Sequence, residues 1–217
     1  MDEFRPIVKL GLPLSIQHCA IEISMLYISS LINVYGLVAS AATAVGNKII
    51  HITLICTSAM MMAGNSIVAQ NFAAKKFRRV SATMGWIFVV CFVFCMFLAV
   101  LMILIPETLF SFFDKNPAVL EMSHLYVLSA VINFFGCATR APIFALTNGI
   151  GFSSLGLAFG LLDGIVARIG LCLLFGSVMG MGITGFWLGN ALAGNVIGVL
   201  GLIYYLMGTW KKRKPLA

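Results

Sequence analysis

Six stretches of this chain are each apolar enough and long enough to cross about 30 Å of hydrocarbon, which leaves few folds open to it. They cover about residues 8–35, 41–70, 82–105, 122–146, 154–176 and 183–207. In lipid every backbone N–H and C=O must be satisfied inside the protein, so such stretches joined by short connections predict six transmembrane helices. Of the 217 residues, 61% are hydrophobic and only 10% are charged. Soluble domains carry about 25% charged residues, and a soluble globule of this composition would expose large apolar patches. The expected fold class is all-α, a polytopic membrane protein. Residues 1–217 are expected to form a single six-helix membrane domain, without internal repeat, linker or soluble domain.

The formal net charge is +7. The cations cluster beside apolar spans, as Lys75-Lys76-Phe77-Arg78-Arg79 and Lys211-Lys212-Arg213-Lys214. That placement fits membrane anchors and anionic lipid headgroups, not nucleic acid. With six spans, Arg5 and Lys9 at the start and both clusters fall on one side, opposite Lys115 and Lys48. The positive-inside rule then makes both termini cytoplasmic and the chain a multi-pass protein of the cell membrane. Lys48 is expected to snorkel. Between spans three and four, Phe110, Phe112 and Phe113 suggest a helix lying in the interface.

Polar residues inside the spans are the candidates for function. Ser15, His18, Glu22, Ser29 and Asn33 fall on one stripe of the first span, with His18 and Glu22 close enough to touch. A carboxylate at mid-membrane costs roughly 2.5–3.5 kcal/mol, and intramembrane ionisable groups are usually functional. Glu22 is therefore read as a proton- or cation-binding residue. On the second span Asn47, His51, Thr57 and Ser58 predict a face lining a bundle interior or wet cavity. The fourth span carries Ser129, Asn133, Cys137 and Arg140, and the fifth Asp163 and Arg168. Arg140 either snorkels or pairs. Asp163 and Arg168 are five apart, which is poor spacing for contact on an α-helix, so each is expected to find a partner elsewhere. Glu22 with Arg140 or Arg168, and Asp163 with Arg140, are the available pairs.

Met60, Met61 and Met62, with Tyr27, Tyr35, Phe134 and Phe144, offer soft and aromatic surface for bulky cations. Gly156, Gly160 and Gly164, and again Gly185, Gly189 and Ala193, are spaced four apart, as closely packed membrane helices require. The six cysteines lie inside spans without metal or disulfide spacing and are expected to be free. There is no H-E-x-x-H, G-x-S-x-G or Walker A sequence, so neither catalysis, a metal centre nor an organic cofactor is expected.

An ordered set of segments carries a family resemblance. KLGLPLSIQ (Lys9 to Gln17) leads into the acidic first span, and AQNFAAKKFRR (Ala69 to Arg79) ends the second. LFSFFDKNPAVLEMSHLYV (Leu109 to Val127), TNGIGFSS (Thr147 to Ser154), DGIVARIGL (Asp163 to Leu171) and GMGITGFWLGNALA (Gly180 to Ala193) follow. In order and spacing these resemble one half, best the C-terminal lobe, of a multidrug and toxic compound extrusion (MATE) transporter. The resemblance implies a cation-coupled antiporter that exports organic cations or drugs in exchange for H+ or Na+. It also implies two six-helix lobes around a central cleft. Glu22 matches an acidic position that some members carry in the first helix of that lobe. A carboxylate that other members carry in the lobe's fourth helix has no match here; Cys137 to Arg140 offers a cation instead. Six spans make one lobe, so the second is expected from a homodimer or from a separate N-terminal half. A non-transporting membrane lobe and a flippase for lipid-linked oligosaccharides are the alternative functions.

Overall fold

The computed structural model describes residues 4–213; the side chains of Arg5, Lys9 and Lys214 lie outside the described residues. The chain is all-α, as expected. Among the described residues, six helices are long and apolar enough to cross a membrane. They are α1 (Phe4–Asn33), α2 (Leu37–Ala73), α3 (Phe77–Leu104), α5 (Pro117–Gly149), α6 (Ser153–Val178) and α7 (Gly182–Leu206). A short helix, α4 (Pro106–Ser111), joins α3 to α5.

The breaks between helices follow local chemistry. Gly36 takes φ 96° ahead of α2, and Gly180 takes φ 68° ahead of α7, conformations that favour glycine. Asn116 caps α5, its side chain accepting from Ala118 N at 3.0 Å, with Pro117 in the first turn where no N–H is needed.

α5 is the hub, packed against α2, α3 and α7, whereas α1 leans on α6. One apolar core holds Phe110, Tyr126, Phe134 and Trp187; a second, at the other end, holds Val68, Phe72, Leu146 and Trp210. Cys91, Cys95, Ala99 and Met102 form the inward face of α3, while Trp86, Val93, Phe97 and Leu104 point outward, as on a lipid-facing helix. The small residues permit close approach. A Cβ at Gly164 would come within 2.9 Å of Ile21 N of α1, and α7 presses on α6 through Gly185 and Gly189.

The basic clusters share one end of the bundle. Trp210 is fully buried, with ring centroids 6.5 Å from Phe72 and 5.7 Å from Phe77, so the α2–α3 turn and the segment after α7 are clasped together. At the opposite end the expected short helix is present between α3 and α5, and the reading of Phe110 needs correction. α4 is pinned to the bundle by Phe110, which is fully buried with its centroid 6.0 Å from that of Tyr126; only Phe112 and Phe113 are exposed. Lys48 does not simply reach for water: its Nζ lies 5.6 Å from the Phe113 ring centroid. Nearby, His124 Nε2 is 2.8 Å from Glu107 Oε1.

Candidate functional site

Because α1 leans on α6 while α2 packs on α5 and α3, the bundle parts between α1 and α2. The gap is a cavity of about 510 Å³, closed at the back by α5 and α7. That volume lies within the ordinary range of small-molecule sites. Along α5 it runs from Asn133 to Asn148. At about 1.5 Å per residue this is roughly 22 Å, from mid-membrane to the end of the helix that faces the basic clusters.

The polar stripes converge here. α1 contributes Gln17, His18, Glu22 and Ser29; α2 contributes Asn47, His51, Thr57 and Ser58. Asn133, Cys137 and Arg140 of α5 and Arg168 of α6 form the back wall, joined by Asn190 of α7. The helical period explains the convergence on α1: residues 18, 22 and 29 recur on one face, while Ala20, Ser24 and Ile28 turn inward and are buried. Of the soft residues, Met61 and Phe144 line the cavity with Met25; Tyr27, Tyr35 and Phe134 do not. Asn33 lies apart from the cavity. It accepts a hydrogen bond from Ser40 Oγ at 2.8 Å and so ties the α1–α2 turn.

The charged residues divide sharply. Glu22 is exposed, and among the described residues no ion pair or hydrogen bond joins its side chain to His18 or to either arginine. Asp163 is completely buried behind the wall and holds both arginines. Arg168 Nη2 donates to Asp163 Oδ1 at 3.0 Å, and Arg140 Nη1 donates to Asp163 Oδ2 at 3.3 Å.

This corrects the expectation that Asp163 and Arg168 do not pair. Five residues along an α-helix are about 140° apart in direction. Here α6 is π-helical from Leu162 to Ala167, and its i→i+5 period brings residues 163 and 168 into line. The expected Asp163–Arg140 pair forms as well, so Arg140 pairs instead of snorkelling. The guanidinium of Arg168 also donates to Asn190 Oδ1 and lies 3.6 Å from Met25 Sδ; Arg140 Nη2 lies 3.6 Å from Cys137 Sγ.

Three buried polar atoms on the cavity wall have no partner among the described residues: Gln17 Oε1, Asn148 Oδ1 and Arg168 Nε. Unpaired buried groups are rare in native interiors, and each calls for a partner such as an ordered water, an ion or a ligand. Sequence reasoning did not single out Asn148 or Asn190 as candidates. Each is one neutral amide in an apolar run, and only the folded bundle turns it toward the arginines or the cavity floor.

Comparison with known proteins gives a consistent picture. A family model, MatE, matches residues 13–174, well over half of the chain. A curated relative, the probable multidrug resistance protein NorM of Thermotoga maritima, is 21% identical over 214 residues, covering 98% of this chain and 46% of the relative. The fold resembles the outward-facing conformation of a multidrug resistance MATE family transporter with a TM-score of 0.85 and 17% identity, covering 95% of this chain and 47% of that one. An inward-facing conformation matches with a TM-score of 0.83 and 17% identity, covering 96% and 49%. The chain thus spans about half the length of the relatives it matches.

Proposed function

The chain belongs to the MatE family, and from that premise we propose that it is one lobe of a secondary transporter of the cell membrane, with both termini cytoplasmic. Its work is transport and not catalysis. The lobe runs by cation-coupled antiport. Glu22 holds the coupling ion, a proton or Na+, and releases it when substrate enters the cavity.

The observation that supports this most directly is the state of Glu22. It is a carboxylate within a membrane helix, on the wall of a polar cavity and without a partner among the described residues, whereas Asp163 is fully engaged. A carboxylate so placed costs roughly 2.5–3.5 kcal/mol unless it takes up an ion. Met25, Met61 and Phe144 supply polarizable and aromatic surface for an organic cation or drug. The opening between α1 and α2 exposes His18, Glu22, His51 and Ser58 along one side. Such a face is unfavourable against lipid tails, so a second lobe covers it, either a second copy of this chain or a separate N-terminal half.

The test is efflux of a fluorescent organic cation from proteoliposomes under an imposed pH or sodium gradient. Glu22→Gln is expected to insert normally and to lose the gradient-driven component. Full coupled efflux in that variant would sink the mechanism. Native mass of the protein released from the same proteoliposomes tests the second lobe: full coupled efflux from vesicles that hold the chain as a monomer would remove it.

A further inference from the structure

The back wall of the cavity carries two arginines against one carboxylate. We propose that Arg140 and Arg168 form a subsite for an oxyanion, a carboxylate on the transported molecule. The proposal rests on reading this cavity as a transporter's ligand site.

The argument begins with donors and acceptors. Each guanidinium presents about five N–H groups and accepts nothing. Asp163 occupies one edge of each, through Oδ1 to Arg168 and Oδ2 to Arg140. Asn190 Oδ1 takes one more donor from Arg168. The remaining neighbours are sulfurs, Met25 Sδ and Cys137 Sγ, both at 3.6 Å and both weak acceptors. Arg168 is 5% exposed, and its Nε has no partner among the described residues. A buried guanidinium with idle donors is costly unless an acceptor arrives.

Charge points the same way. Asp163 neutralises one arginine, leaving one excess positive charge on this wall. Glu22 does not discharge it, since it stands exposed on α1 and pairs with neither arginine among the described residues. The cavity is therefore polarised, with a cationic wall on α5 and α6 and an anionic residue on α1. Space is available too: Gly194 lines the cavity beside Arg140, where a side chain's first carbon would sit 3.5 Å from Nη1. A planar carboxylate matches the guanidinium fork in shape, and in a site away from bulk water such a pair is strong. A ligand with a cationic group toward Glu22 and a carboxylate toward the arginines satisfies both walls.

The test compares two probes of similar shape, 2-naphthoate and uncharged 2-naphthamide, binding to the intact chain in phosphatidylcholine nanodiscs. Naphthoate is expected to bind about tenfold more tightly or better, the scale of one charge-assisted contact. Arg140→Gln is expected to bring the two probes to parity. Equal binding to the unmodified chain would overturn the proposal, and so would a preference for naphthoate that survives Arg140→Gln. Should that variant fail to fold, the two probes on the unmodified chain still decide. Discs made with phosphatidylglycerol separate a solute from an anionic lipid: the preference is expected to persist there, and its loss would assign the site to a net-anionic lipid headgroup and overturn the solute reading. Coupled efflux is measured separately, so naphthoate binding without gradient-driven transport leaves this subsite standing and removes only the transporter reading.

Discussion

The back wall and the front wall of the cavity each hold a carboxylate, and the bundle treats the two in opposite ways. Asp163 on α6 is fully buried, held on both oxygens, and out of reach of the cavity. Glu22 on α1 is exposed and has no partner among the described residues. The first fixes the geometry of two arginines; the second is the one to which the proposed function gives the coupling ion. Burial plus pairing makes a structural charge. A list of intramembrane acidic residues would rank the two alike.

The largest expected effect lies on the back wall. Asp163→Asn leaves two arginines facing each other without a counter-charge, and should cost about 3–5 kcal/mol of stability. Thermal or denaturant unfolding of the purified variant, with its yield in membranes, measures this. A variant as stable as the unmodified chain would erase the distinction between the walls. A middle effect is expected where the walls meet. At Gly164 even a Cβ meets the α1 backbone at Ile21 and Ala20, so Gly164→Leu must push α1 off α6, at about 1–3 kcal/mol. The same unfolding measurement checks it, and cross-linking between α1 and α6 should weaken in parallel. Least is expected of Glu22→Gln, within about 0.5 kcal/mol, because no described partner is lost. If its cost approached that of Asp163→Asn, Glu22 would be a structural charge after all.

Much of this was legible in the chain itself. Apolar length set six spans, and stripes of polar residues on α1, α2 and α5 anticipated a wet cavity, because a period of 3.6 maps directly onto faces. The reading failed where the period changed. Asp163 and Arg168 look mismatched on an α-helix and meet only because Leu162 to Ala167 is π-helical. Nothing in that sequence announces the change, which is a compromise between local winding and the arginines' need for a carboxylate. Phe110 misled for another reason: an aromatic near a span end suits the interface, and only the position of α5 decides that it turns inward. Asn33 shared a stripe with Glu22, but α1 ends there and Ser40 claims it.

The π-helical segment has a consequence for how this chain tolerates change in length. In the connection at Gly36, or in the turn after α2, an added or lost residue alters reach, and a flexible linkage absorbs it. Within Leu162–Ala167 a lost residue is absorbed in another way. Each hydrogen bond there closes one residue later than in an α-helix, so removing one residue would restore ordinary winding and leave the downstream half near its present azimuth. The same deletion in the α-helical stretch Arg168–Leu173 would turn everything beyond it by about 100° and swing Gly176 away from Phe186. The segment works as a slack turn between two halves of one rod, the upper half packed on α7 and the lower half on α1. Along this stretch a deletion is taken up that elsewhere in the helix would act as a rotation.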